Sequence, residues 1–128
     1  MSEMSDYLEN AFLNQTLNNA TAPAVVTPYL SLFSSDPLDD ASGTECSWTG
    51  YARQSMSFTT STAGSSTTDA AITFPAVVGS DVTVTHMGIF DASTSGNLLY
   101  HTPLTSSKVL SADDVMSFAS GSATVTMA

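Results

Sequence analysis

Apolar and polar positions along the chain change period once, and that change divides it. Over residues 5 to 18, SDYLENAFLNQTLN, Leu8 pairs with Phe12 and Leu13 with Leu17 at i,i+4 spacing. This is the spacing of one helical face. Ser5 or Asp6 can cap the first turn, acids there suit the positive end of the helix dipole, and Asn18-Asn19 offers a stop. One short amphipathic helix is predicted within an N-terminal segment of residues 1–20. The proline-containing TAPAVVTP that follows reads as an extended connector.

From there the period is two. In YLSLFSSDP, Tyr29, Ser31 and Phe33 fall on one face and Leu30 and Leu32 on the other, so both faces are mostly apolar and the strand should be covered on both. Pro37 forces a turn, and DPLDDASGTECSWTG is a long polar loop of the kind that carries function or meets a partner. YARQSMSFTT alternates Ala52, Gln54, Met56 and Phe58 against Tyr51, Arg53, Ser55 and Ser57; STAGSSTTDA reads as a loop and AITFPAV as a short strand. Next, Val82, Val84, His86, Gly88 and Phe90 share one face and Thr83, Thr85, Met87 and Ile89 the other. DASTSGN interrupts the pattern and LLYHTPL restores it, which predicts an antiparallel pair. Gly88, in mid-strand, marks a bulge or a close approach by another backbone. Lys108-Val109-Leu110, VMSF and ATVTM complete the set. About seven or eight strands at roughly ten-residue spacing predict a mainly β protein, a β-sandwich or jelly-roll-like domain over residues 25–128 with one short N-terminal helix. At 128 residues a single domain, 1–128, is expected.

Composition narrows the function classes. Two basic residues, Arg53 and Lys108, face twelve acids, for a net charge of -10. Nucleic acid and anionic membrane surfaces both recruit clustered Lys and Arg, so neither is an expected partner. Roughly three residues in ten are Ser or Thr, which suits strands with a hydroxyl-rich outer face. The 42% hydrophobic content is too high for a disordered chain. Cys46 is the only cysteine, so no intrachain disulfide can form and the fold must rest on burial. MSEMSDYLEN has neither a basic nor an apolar export region, and a soluble protein without an export signal is expected.

The candidate chemistry is sparse. His86 and His101 end the two halves of the predicted hairpin, where opposed residues lie about 5 Å apart. Zinc would need further ligands; Cys46, Asp91 and Asp69 are the candidates, and none stands at a metal-ligand spacing. Structural or interface histidines are the simpler reading. Asp36, Asp39, Asp40 and Glu45 share a loop and can be read as a Ca²⁺ site, but their spacing is not that of an EF-hand, and a solvated acidic loop explains them. Neither Cys46 nor any serine sits in a nucleophile motif. Trp48 and Tyr51 can be read as a sugar platform or, more simply, as a core or interface anchor. No enzyme activity, metal or cofactor is expected.

Seven stretches taken in order, YLENAFLNQTL, YLSLFSSDP, GYARQSMSF, AITFP, VTHMGIFDA, GNLLYH and FASGSATVTMA, resemble a family of small tailed-bacteriophage virion proteins usually labelled tail fibre proteins. The resemblance implies a structural protein of the particle, with no catalytic residues. No repeat or heptad suggests a fibre shaft, and a compact acidic β domain is suited to sit as a small oligomer on a larger shell. The leading expectation is therefore a capsid decoration, or cement, protein: a homotrimer bound to the major capsid protein on the outside of the head, assembled in the host cytoplasm. The alternative is a tail fibre or tail tip protein that contacts other tail proteins and the host surface; a metal-dependent enzyme using His86, His101 and Cys46 is a minor third. Expected contact residues are Leu8 and Phe12 from the helix, Glu45, Trp48 and Tyr51 from the long loop, and His86 and His101 at an inter-subunit seam.

Overall fold

Two long strands, β6 (Val82–Phe90) and β7 (Leu98–Leu110), pair antiparallel and form the centre of the molecule in the computed structural model, which describes residues 3–21 and 27–126. The turn between them is closed by Asp91, whose carboxylate accepts from Asn97 N at 2.7 Å and Asn97 Nδ2 at 3.0 Å. The outer side of β6 carries β2 (Tyr29–Phe33), with Ser31 opposite Gly88, and β3 (Gln54–Ser55) lies beyond it. On the outer side of β7 runs the two-residue β1 (Glu3–Met4). The resulting antiparallel sheet has the order β1-β7-β6-β2-β3.

The ladder between β6 and β7 slips twice, between Val84 and His86 and, by a single residue, between Ile89 and Phe90. Val84 pairs with Lys108 but His86 with Pro103, so residues 104–107 have no partner on β6. This bulge reverses the facing of β6. Val84, fully buried, packs with Leu30, Leu32, Met87 and Ile89, whereas Phe90 joins Phe33 and Leu98 in a second cluster on the opposite face. The expected sharing of one face by Val82, Val84, His86, Gly88 and Phe90 is therefore corrected: Val82 and Val84 serve one face, and His86, Gly88 and Phe90 the other. A Cβ on Gly88 would lie 3.0 Å from Leu98 Cδ1 and Ser31 Oγ and 3.1 Å from Phe33 Cε2. Its closeness is thus to side chains packed across the sheet face.

Two small ladders supply the other layer. The strand β5 (Ile72–Thr73) pairs with β8 (Ser117–Phe118), and Ile72, Phe74 and Phe118 join the core on Leu30, Leu32 and Val84. The strand β4 (Ser65–Thr67) pairs with β9 (Thr124–Thr126), tied by a Thr67–Thr124 hydroxyl contact of 3.1 Å. The predicted mainly β class with one N-terminal helix is what the chain forms, with sandwich-like layering.

Three strand readings change. STAGSSTTDA contains β4, because threonine-rich sequence suits an exposed strand as well as a loop. Lys108–Leu110 is the end of β7, not a separate strand. The strand expected over residues 51–60 shrinks to β3: Met56 N donates to Pro28 O at 2.8 Å, and Pro28 has no N–H to continue the ladder.

The helix α1 (Asp6–Leu17) begins as its sequence predicts. Ser5 is its fully buried N-cap; its hydroxyl accepts from Leu8 N at 3.3 Å and donates to Leu98 O of β7. At the other end Asn18 N returns to Asn14 O and Asn19 takes a positive φ of 55°. Only Leu8 is buried; Phe12, Leu13 and Leu17 stay exposed, Leu17 at 74%. Residues 22–26 of the expected connector lie outside the described residues.

Candidate functional site

The loop leaving β2 folds back on itself. Ser34 N donates to Thr44 O at 2.9 Å, Thr44 N to Ser35 Oγ at 2.8 Å and Gly43 N to Pro37 O at 3.3 Å. A Cβ on Gly43 would sit 2.3 Å from Asp36 O, so the turn closes only around glycine. Asp36 accepts Leu38 N at 2.9 Å, and Asp39 O accepts Asp6 N at 3.1 Å, which joins the loop to the first turn of α1. These contacts hold Asp36 and Asp39 over the His101 face of the sheet.

His101, only 4% exposed, lies opposite Gly88, and His86 lies opposite Pro103, so the two imidazoles share a face one diagonal step apart. They do not meet directly. The Asp36 carboxylate stands between them, Oδ2 at 3.8 Å from His86 Nε2 and Oδ1 at 3.9 Å from His101 Nδ1. His101 Nε2 is 2.9 Å from Asp39 Oδ1 and 3.9 Å from Glu3 Oε2. Glu3 arrives by register, since β1 pairs it with His101. His86 Nδ1 is held by Thr85 Oγ1 at 2.8 Å. The cluster therefore gathers three carboxylates around two imidazoles.

A second polar centre lies beside the 91–97 turn. Arg53 grips Glu45 in a two-pronged ion pair, Nε–Oε1 at 2.9 Å and Nη2–Oε2 at 2.8 Å. Its Nη1 donates to Ala92 O at 3.1 Å and Ser95 O at 2.7 Å, and the guanidinium covers the Phe90 ring at 3.6 Å. Tyr51 OH donates to Glu45 Oε1 at 2.9 Å and accepts from Leu32 N at 3.1 Å. Burial pushes the Tyr51 hydroxyl far above its ordinary pKa. The Cys46 thiol is pushed up to about 11, chiefly by burial and also by the Glu45 charge. Asp40, by contrast, is exposed and lowered by hydrogen bonds from the Ser42 side chain and backbone.

These positions redistribute the residues singled out in the sequence. The further zinc ligands considered for the histidines do not join them: Cys46 is in the core, Asp91 closes the hairpin turn, and Asp69 is exposed beside Ser57, to whose carbonyl its N–H donates. Their place is taken by Glu3, Asp36 and Asp39. The four loop carboxylates do not form one cation site, because Glu45 is spent on Arg53 and Asp40 on Ser42. Tyr51 is no open sugar platform: Phe74 stacks on its ring at 6.0 Å and Trp48 meets it edge-on at 4.8 Å. Among the expected contact residues, Leu8, Glu45 and Tyr51 are engaged within the chain, while Phe12 reaches the surface.

Sequence reasoning missed Glu3 and the central role of Arg53. For Arg53 there was a signal, since a chain with two bases and twelve acids has few ways to pair a partly buried carboxylate. For Glu3 there was none, because a two-residue strand leaves no periodicity to read. No helix among the described residues is long and apolar enough to cross a membrane. Residues 3–126 match the family model described as Podophage GP4 fiber I protein gp80. A search of curated proteins finds no match.

Proposed function

The chain belongs to the podophage GP4 fiber I protein gp80 family, and from that premise we propose that it is a non-enzymatic subunit of the tail-fibre apparatus, packed against other tail proteins. As a phage fibre protein it is a structural, virion-associated component. The observation that carries the proposal is the match over residues 3–126, nearly the whole of the chain. It ranks the tail reading above the capsid-decoration reading, which rested on a compact, acidic, β-rich domain without the repeats of a fibre shaft.

The interior supports a structural role. Tyr51 and Cys46, the chain's most perturbed acids, are held protonated by burial, and a thiol raised to about 11 is a poor nucleophile at neutral pH. Contacts with neighbouring tail chains run through the outer side of α1, where Phe12, Leu13 and Leu17 are exposed. A closed homotrimer, assembled in the host cytoplasm before incorporation, is the oligomer proposed.

Quantitative mass spectrometry of purified virions and of tails separated from heads tests this. The expected result is enrichment in the tail fraction at a few to some tens of copies per particle. Hundreds of copies that follow the heads would return the decoration reading to first place.

A further inference from the structure

We propose that Glu3, Asp39 and His101 form a binding site for one divalent cation of the zinc class. Their candidate ligand atoms, two carboxylate oxygens and an imidazole nitrogen, all lie within 4.8 Å of one another. Tetrahedral zinc with bonds of about 2.0–2.2 Å holds its ligands roughly 3.3–3.6 Å apart. The distances from His101 Nε2, 2.9 Å to Asp39 and 3.9 Å to Glu3, bracket that spacing, and the two carboxylates that must adjust to an ion are both exposed.

The ligands are placed by the fold and not by chance encounters of surface side chains. His101 is 4% exposed and fixed in the longest strand; Glu3 is set opposite it by the ladder; Asp39 is tied through its own carbonyl to Asp6 N at 3.1 Å. Asp36 Oδ1 lies 3.9 Å from Nδ1 on the far side of the ring, within ion-pair range but beyond a hydrogen bond.

Charge argues the same way. Glu3, Asp36 and Asp39 converge on this imidazole, and neither basic residue is there to balance them. Arg53 is held by Glu45, and Lys108 pairs with Val84 beyond the bulge. Among the described residues no Lys or Arg answers these carboxylates, and a bound divalent cation would do so. One nitrogen with two carboxylates is a poor set for Ca²⁺ or Mg²⁺, which prefer six or more oxygens, and a fitting one for zinc, with water in the fourth position. Such an ion would staple β1, the 36–44 loop and β7 together. The inference stands apart from the tail assignment and does not depend on it.

The test uses the full chain stripped with chelator, titrated with zinc chloride by calorimetry at neutral pH and followed by thermal melting. One zinc per chain and a raised Tm are expected, with weaker binding of Ca²⁺ and Mg²⁺. Glu3→Gln and Asp39→Asn should each weaken zinc binding at least about tenfold, while Asp81→Asn, on an exposed residue elsewhere, leaves it unchanged. His101→Ala should abolish binding; because His101 is buried, the exposed Glu3→Gln is decisive if that variant does not fold. Absence of zinc binding, or equal affinity in wild type, Glu3→Gln and Asp39→Asn, overturns the proposal.

Discussion

The Glu45 centre and the His101 centre are both built from carboxylates of the same long loop, but only the first contains its own cation. Around Glu45 the carboxylate itself is fully answered: Arg53 is two-pronged on it, caps two turn carbonyls and covers Phe90, and Tyr51 adds a further hydrogen bond. Around His101 three carboxylates meet two imidazoles, and neither Arg53 nor Lys108 joins them. In a chain with two basic residues, one closed centre uses half of the supply. A permanent guanidinium makes a fixed joint, and an imidazole makes one that a proton or metal can alter.

The comparison is broken most directly at Arg53. Arg53→Ala leaves the half-buried Glu45 without its counter-charge and two turn carbonyls without their donor, and should cost about 2–3 kcal/mol in urea unfolding. Arg53→Lys should recover only part of this, since an ammonium cannot reproduce the two-pronged grip. A loss under 1 kcal/mol for the alanine variant would show that the clasp is incidental.

The next effect is alkaline. Because Cys46 titrates at about 11 in the fold against 9.0 ordinarily, the folded state holds that proton more tightly than the unfolded chain. Its contribution is whole below pH 9 and declines as pH rises toward 11, by about 1.4 kcal/mol per pH unit. Unfolding curves of wild type and Cys46→Ala from pH 8 to 11 should therefore converge as pH rises. Parallel curves would refute the thiol's part.

Two smaller effects probe the other centre. Gly88→Ala places a methyl against Leu98, Ser31 and Phe33 beneath the histidines and should cost about 1–3 kcal/mol. Ser5→Ala removes the cap that anchors α1 to β7 and should cost about 1 kcal/mol. Smallest of all, Leu17→Gln should change stability by less than about 0.5 kcal/mol, since Leu17 is 74% exposed. If α1 is a contact face in the particle, the same variant lowers incorporation into virions, measured by mass spectrometry.

How much of this was legible in the sequence followed from the range of each interaction. The helix, its Ser5 cap and its Asn stop are set by residues within four positions of one another, and they stand where the pattern puts them. The β6–β7 hairpin was legible from its alternation, interrupted once by the 91–97 turn. Its larger bulge was not: Val-Thr-Val-Thr-His alternates without a break, and the slip exists only in the pairing with residues 104–107. The histidines were legible as neighbours on one face, but their carboxylates come from residues 3, 36 and 39, which only the folded sheet brings together. Trp48 and Tyr51 looked available because a loop was expected around them; Phe74, more than twenty positions away, is what closes the stack.

The central claim is that this chain is a structural component of the phage tail. Gold-labelled antibody against it, viewed on intact virions by negative-stain electron microscopy, tests that claim most directly. The account predicts label confined to the tail and its fibres. Label spread evenly over the heads would contradict it.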